Sequence, residues 1–469
     1  MADLNGQSAT QLAELIRHRK ISPVEVIEAC LKRIDEVNPR LNAIVTIPSD
    51  VVDQAKRSEA TLMRGEAVGP LHGLPVTIKD TIETAGIRTT SGSVMRAEFI
   101  PEQDAAAVGR LKAAGAIILA KTNAAEMAMD YTADNPVFGR TNNPHDLSLT
   151  PGGSSGGESA AISSAMSVCG LGSDLAGSIR IPAHFCGIAG LKPTVRRVPG
   201  SGQFPAAIGP YSLGAVIGPM ARTVDDLHLL LKVLTVTGKS VPSREDTTAI
   251  TDGMRGCRVA WYSDDGVAPI TAETSSALEV AAAILSDGGL VVERATPPGA
   301  ERGHDLWLKM FSRASVAQLR EVYTGHDDRV GEFVRWRLAT ADDAMTASLD
   351  DYIAAWWERD RLRIRLLEWM EDFALILAPV GATSAYPHDT HKVILGDKSL
   401  STFRAFSYSQ TFNVFDLPAV TIPTYHTKSG LPVGIQIVGR PFEEEMVLAA
   451  ASIVERALGG WKAPPHLPH

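Results

Sequence analysis

DAAAVGRLKAAGAIILAKT (104–122) divides at a glycine. Residues 104–115 read as a helix stopped by Gly115, since glycine enters the left-handed conformation without a Cβ penalty. AIILAKT (116–122) is a short apolar run and reads as a buried strand. Upstream, LPVTIKD (74–80) is a second short buried strand followed by turn-rich sequence. This alternation predicts an α/β fold: a central mixed, largely parallel twisted sheet covered by helices on both faces. The pattern extends both ways. Residues 9–37 read as two helices, with Ser8 and Ser22 as N-caps and Pro23 at a first helical position. Residues 49–64, ESAAISSAM (158–166) and TVDDLHLLLKVL (223–234) read as further helices. SVCGLGSD (167–174), RVAWY, LVVERA, ALILAPV, AVTIPTY and GIQIVG read as strands. No linker or repeat divides the 469 residues, so 1–469 reads as one large domain. Within it, 70–200 carries the chemistry. Residues 300–370 form a helical elaboration near the pocket, with Trp307, Trp336, Trp356, Trp357 and Trp369.

The net charge of −9 excludes nucleic acid as a main partner, because a phosphate backbone needs a basic face. The N-terminal residues lack an apolar signal core, and no window of about 18 apolar residues exists to span a membrane. Cys30, Cys169, Cys186 and Cys257 form no CxxC pair, so reduced thiols in a cytoplasmic protein are expected. No HExxH or similar spacing implies a metal, and no cofactor is implied.

TPGGSSGGESA (150–160) places two adjacent serines among four glycines. A phosphate loop would need lysine where Glu158 brings negative charge. A GxSxG nucleophile elbow at Ser154 would need a preceding strand, but NNPHDLSLTP is turn-forming. GSDLAGSIR (172–180) is the better place for a nucleophile. There a strand ends at Asp174, and Ser178 opens a short helix. The N–H groups of Leu175, Ala176, Gly177 and Ser178 would then converge on a developing oxyanion. Taken alone, Ser178 reads first as a simple helix N-cap. None of the twelve histidines, His72 and His184 included, has a context marking it as the base. Lys79 ends a buried strand, where lost hydration favours the neutral amine. Taken alone, Lys79 reads first as a lysine that snorkels to the surface or pairs with Asp80.

GLPVTIKD, PGGSSGGESAA and GSDLAGSIRIPAHFCGIAGLKPT together resemble the amidase signature family, Ser–Ser–Lys hydrolases of C–N bonds. LxxxGAIILAKTNAAE, DNPVFGRTNNP, NVFDLPAVTIP and GLPVGIQIVGRPFEE extend the resemblance over roughly residues 10–455. It implies Ser178 as the acylated nucleophile, Ser154 as a bridging serine after a cis peptide at Gly153, and Lys79 as the base. Ser155 supports the turn. Met129 and Tyr131 become candidate substrate contacts, and Ala176 stands where many members have glycine. The implied activity is hydrolysis of a small amide, with aryl amides favoured by a similarity at AYPHDT (385–390) and with esters or carbamates as further substrates. The implied partners are that substrate and water, with a homodimer as the fitting assembly and neither nucleic acid nor membrane. Two other readings stay open. One is the glutaminase component of a glutamyl-tRNA amidotransferase, working in a complex. The other is a catalytically inactive binding member.

Overall fold

Ser8 and Ser22 cap the first two helices, Ala9–Arg17 and Pro23–Leu41. Each hydroxyl accepts the N–H three residues on, and Gln11 and Glu25 return the bond to the cap N–H. The computed structural model describes residues 4–235, 250–251, 253–340, 348–465 and 467. Helix Ala106–Ala113 ends just before Gly115, whose φ is +92°.

Among the described residues thirteen strands are formed: β1 (Ile44–Thr46), β2 (Pro75–Lys79), β3 (Ile117–Thr122), β4 (Cys169–Asp174), β5 (Ala189–Lys192), β6 (Val216–Ala221), β7 (Arg258–Trp261), β8 (Val291–Arg294), β9 (Leu375–Pro379), β10 (Lys392–Leu395), β11 (Lys398–Ser401), β12 (Ala419–His426) and β13 (Pro432–Val438). β10 and β11 make a separate hairpin. The other 11 build one sheet in the order β1-β3-β2-β4-β6-β5-β12-β13-β9-β7-β8. The sheet is mixed, as expected, but it is not largely parallel. Parallel pairing is confined to β3-β2-β4 on one side and β9-β7-β8 on the other. Between β4 and β9 every neighbouring pair is antiparallel. Buried strand sequences carry no direction label, which is why the alternation alone misjudged this.

Helices cover both faces, and the period of two along a strand sorts the core. On β9, Leu375 and Leu377 join the core that holds Leu278 and Val447, from helices Ala272–Asp287 and Glu444–Leu458. Ile376 and Ala378 point to the other core, with Phe185, Trp307, Phe406 and Tyr408. Residues 300–370 are chiefly helical where described: Gly303–Trp307, a π-helical turn Leu308–Ser312, Arg313–Tyr323, Glu332–Ala339 and Leu349–Trp369. Among the described residues, no helix is long and apolar enough to cross a membrane.

Candidate active site

β2 lies between β3 and β4, so its last residue, Lys79, is carried into the interior and is wholly buried. Its Nζ is 2.6 Å from Ser154 Oγ and 3.0 Å from Ser173 Oγ. Burial pushes the amine down to about 7, against the opposing pull of Asp174 and Glu158. Asp80 is not its partner. That carboxylate accepts from the N–H and hydroxyl of Thr90.

Ser154 follows Gly153 through a cis peptide bond. A Cβ on Gly153 would stand 2.0 Å from the Thr132 carbonyl oxygen, so the turn requires glycine there. No strand leads into Ser154, which removes the elbow geometry. Glu158 turns inward to the hydroxyls of Thr77 and Thr122, away from any phosphate position. Ser155 joins two turns. Its N–H donates to the Ser178 carbonyl at 3.2 Å, and its hydroxyl bonds both backbone groups of Ser173.

The segment after β4 is folded around Asp174. Its carboxylate accepts the N–H groups of Gly177 at 2.8 Å and Ile179 at 3.1 Å. This corrects the expected four-donor oxyanion site, because the Gly177 N–H is already engaged. The N–H groups of Leu175, Ala176 and Ser178 have no acceptor among the described residues. The helix also starts later than expected, at Arg180, so Ser178 lies in the preceding turn. Gly177 has φ +109°, and a Cβ there would meet Ile181 and Ser409 at 2.7 Å. Ala176 keeps an ordinary negative φ, so its Cβ is accommodated.

A cleft of about 570 Å³, counted with its open mouth, lies over these turns. Ser154, Ser173 and Ser178 share its wall with Met127, Met129, Tyr131, Tyr211, Trp307 and Phe403. Ser178 Oγ has no hydrogen-bond partner among the described residues, and no bond joins it to Ser154 Oγ. Met129 and Tyr131 therefore do line the cleft, although Tyr131 is also a core residue. Of the five tryptophans singled out, only Trp307 is among the cleft-lining residues; Trp336 and Trp357 are exposed. AYPHDT does not line the cleft: Tyr386 packs edge-on against Phe185 in the core. His72 bonds the Ser58 carbonyl. His184 accepts from the Gly434 N–H and donates to the Thr383 carbonyl, and burial lowers it to about 4.

Ser173, Arg180, Asn413 and Gln436 were missed from sequence. Arg180 grips both oxygens of Asp174 at 3.0 Å, with both side chains wholly buried. Burial alone would raise the Asp174 carboxyl, but Arg180, Lys192 and the Asn413 amide hold it well below the usual carboxylate range. Arg180 also donates to Gln436 Oε1 and Asn413 Oδ1. The one local signal was a carboxylate and a guanidinium six positions apart across the Gly/Ser turn. Arg180→Leu is expected to cost about 3–5 kcal/mol by stranding a buried carboxylate, read as a lower urea midpoint. An unchanged midpoint would remove this pair from the account of the turn.

A profile of the amidase family matches residues 25–448. Human fatty-acid amide hydrolase 2 is 32% identical, over 97% of this chain and 90% of that protein. The glutamyl-tRNA(Gln) amidotransferase A-type subunit of Roseiflexus sp. (strain RS-1) is 34% identical, covering 100% of both chains. The structure of a bacterial aryl acylamidase of the amidase signature enzymes superposes with a TM-score of 0.86 at 26% identity, over 96% of each chain. Sequence and fold agree from end to end: the chain belongs to the amidase signature family.

Proposed function

We propose that this protein hydrolyses the C–N bond of a small amide through an acyl-enzyme on Ser178. One observation carries the reading: a wholly buried lysine amine, tuned to about 7, sits 2.6 Å from a serine hydroxyl in the wall of a cleft that also presents Ser178. Neutral Lys79 takes the Ser154 proton, Ser154 takes the Ser178 proton, and Ser178 Oγ attacks the amide carbonyl. The N–H groups of Leu175, Ala176 and Ser178 receive the oxyanion. The proton returns through Ser154 to the leaving nitrogen as the C–N bond breaks. Water then attacks the ester, gives its proton to the same relay and releases the acid. Catalytic hydrogen bonds often close only in the substrate complex, and the reading requires the Ser154 and Ser178 hydroxyls to meet there.

The cleft favours an aryl or alkyl amide, with esters and carbamates as further substrates. Its walls are mainly apolar, with Tyr131, Tyr211, Trp307, Phe403, Met127 and Met129 among them, and among the described residues its only acidic or basic members are Asp130 and Asp174. Glutamine would bring a carboxylate to a cleft wall whose described residues include no cation, which counts against the glutaminase reading. Four free cysteines support a cytoplasmic setting. The test is a panel of an anilide, an aliphatic amide, an ester, a carbamate and glutamine, given to wild type and Ser178→Ala. Cleavage of the anilide by wild type alone is expected. Cleavage of glutamine only, or of nothing, overturns the reading.

The base also sets a pH dependence. Below about 7 the Lys79 amine holds its proton and cannot accept another. kcat/KM for the anilide should therefore rise with pH, with a midpoint near 7, and level off above it. A midpoint in the ordinary lysine range would contradict the assignment.

A further inference from the structure

Gln410 is wholly buried, does not line the cleft, and has no part in the relay described above. All the same, every polar atom of its amide is used. Nε2 donates to the Phe403 carbonyl at 2.7 Å and to the Tyr131 hydroxyl oxygen at 2.9 Å. Oε1 lies 2.7 Å from His304 Nδ1. A carbonyl only accepts, so the Phe403 bond fixes which end of the amide is nitrogen. The Tyr131 oxygen is then an acceptor toward Gln410, and its hydrogen is free to point elsewhere. It donates to the Ala176 carbonyl at 2.7 Å. One residue earlier, Trp307 Nε1 donates to the Leu175 carbonyl at 2.8 Å. These two donors fix the planes of the peptides that carry the N–H groups of Ala176 and Gly177. The first N–H is open, and the second is bound by Asp174.

We propose that Gln410 is a positioning residue: by donating to Tyr131 it sets the polarity of that hydroxyl, which then anchors the oxyanion-binding turn through the Ala176 carbonyl. This rests on the reading of Ser178 as nucleophile. Polarity, not bulk, is what the amide supplies. An ionised glutamate of nearly equal size can only accept. It would draw the Tyr131 hydrogen to itself and leave the Ala176 carbonyl without a donor. A methionine fills similar space and leaves Tyr131 free to keep its bond to Ala176.

The experiment measures kcat and KM for an anilide, on the alkaline side of neutrality, for wild type, Gln410→Met, Gln410→Glu and Tyr131→Phe. It adds inhibition by a trifluoromethyl ketone, whose adduct places an oxyanion in the turn. Loosening the Ala176–Gly177 peptide should shift the adjoining oxyanion donors, the N–H groups of Ala176 and Ser178, and cost Gln410→Glu and Tyr131→Phe about 30-fold in kcat, and Gln410→Met about 3-fold, with KM little moved. Affinity for the ketone should fall in step with kcat/KM. Equal losses in Gln410→Met and Gln410→Glu would mean packing alone and overturn the proposal. So would a Tyr131→Phe enzyme with wild-type kcat, which decides the matter if Gln410→Glu does not fold. A wild type that cleaves nothing and takes no label at Ser178 overturns the nucleophile reading, and this proposal with it. An active wild type with the wrong variant pattern overturns this proposal alone.

Discussion

Ser178→Ala should lose amide hydrolysis by a factor on the order of 10⁴ to 10⁶. It should also lose all covalent labelling by a fluorophosphonate. Both effects follow from removing one oxygen and nothing else. The Ser178 hydroxyl makes no hydrogen bond among the described residues, so its removal breaks no contact that shapes the turn. The turn is held instead by Asp174 on its N–H side and by Tyr131 and Trp307 on its carbonyl side. Thermal unfolding should therefore be nearly unchanged, which separates lost chemistry from lost structure. Ser154→Ala makes the contrast. It breaks the contact with Lys79 yet leaves the nucleophile, so labelling should persist at a reduced rate. Peptide mapping of the labelled protein settles the assignment. Label on Ser154, or label retained by Ser178→Ala, would exchange the two roles.

Lys79→Met should move activity and stability in opposite directions. kcat/KM should fall on the order of 10³- to 10⁵-fold, the range seen when one member of a catalytic unit is removed. Stability should rise, because a desolvated amine is replaced by an apolar side chain of similar length. The sign is set by linkage. Burial lowers the folded-state pKa from 10.5 to about 7, so the folded protein pays for the buried charge fully below about 7. That cost shrinks as pH climbs toward 10.5, where the unfolded chain also loses its proton. The stability gain of Lys79→Met should accordingly be largest in mild acid and fade in alkali, as urea midpoints across pH would show. Retained activity would remove Lys79 from the mechanism, and lowered stability in acid would mean that the contacts to Ser154 and Ser173 outweigh desolvation.

What the sequence revealed, and what it withheld, follows from how local each signal is. β2 and β3 were legible because both faces of each are buried, giving short, mostly apolar runs. The first two helices were legible because their caps are written within four residues of chain. β5 (AGLK) and β6 (VIGPMA) were not read as strands, since glycine and proline there look like turn formers. β12 and β13 were both found, yet their antiparallel insertion between β5 and β9 is a decision of the whole sheet. At the site, Lys79, Ser154 and Ser178 sit in motifs long enough to recognise. Gln410 lies outside every quoted motif, Asn413 and Gln436 lie in motifs that give them no role, and all three reach the turn only through the fold. That Asp174 takes the Gly177 N–H depends on where one carboxylate points, which residue order does not encode.

The anchoring of Arg180 by Asn413 and Gln436 bears on how the protein is made. A ribosome delivers the serines long before it delivers β12 and β13, which fill the middle of the sheet between β5 and β9. Until those late strands dock, the neighbouring edges stay unpaired and the guanidinium lacks its outer partners. A nascent polypeptide should thus hold the turn that bears Ser178 unfinished until near the end of translation.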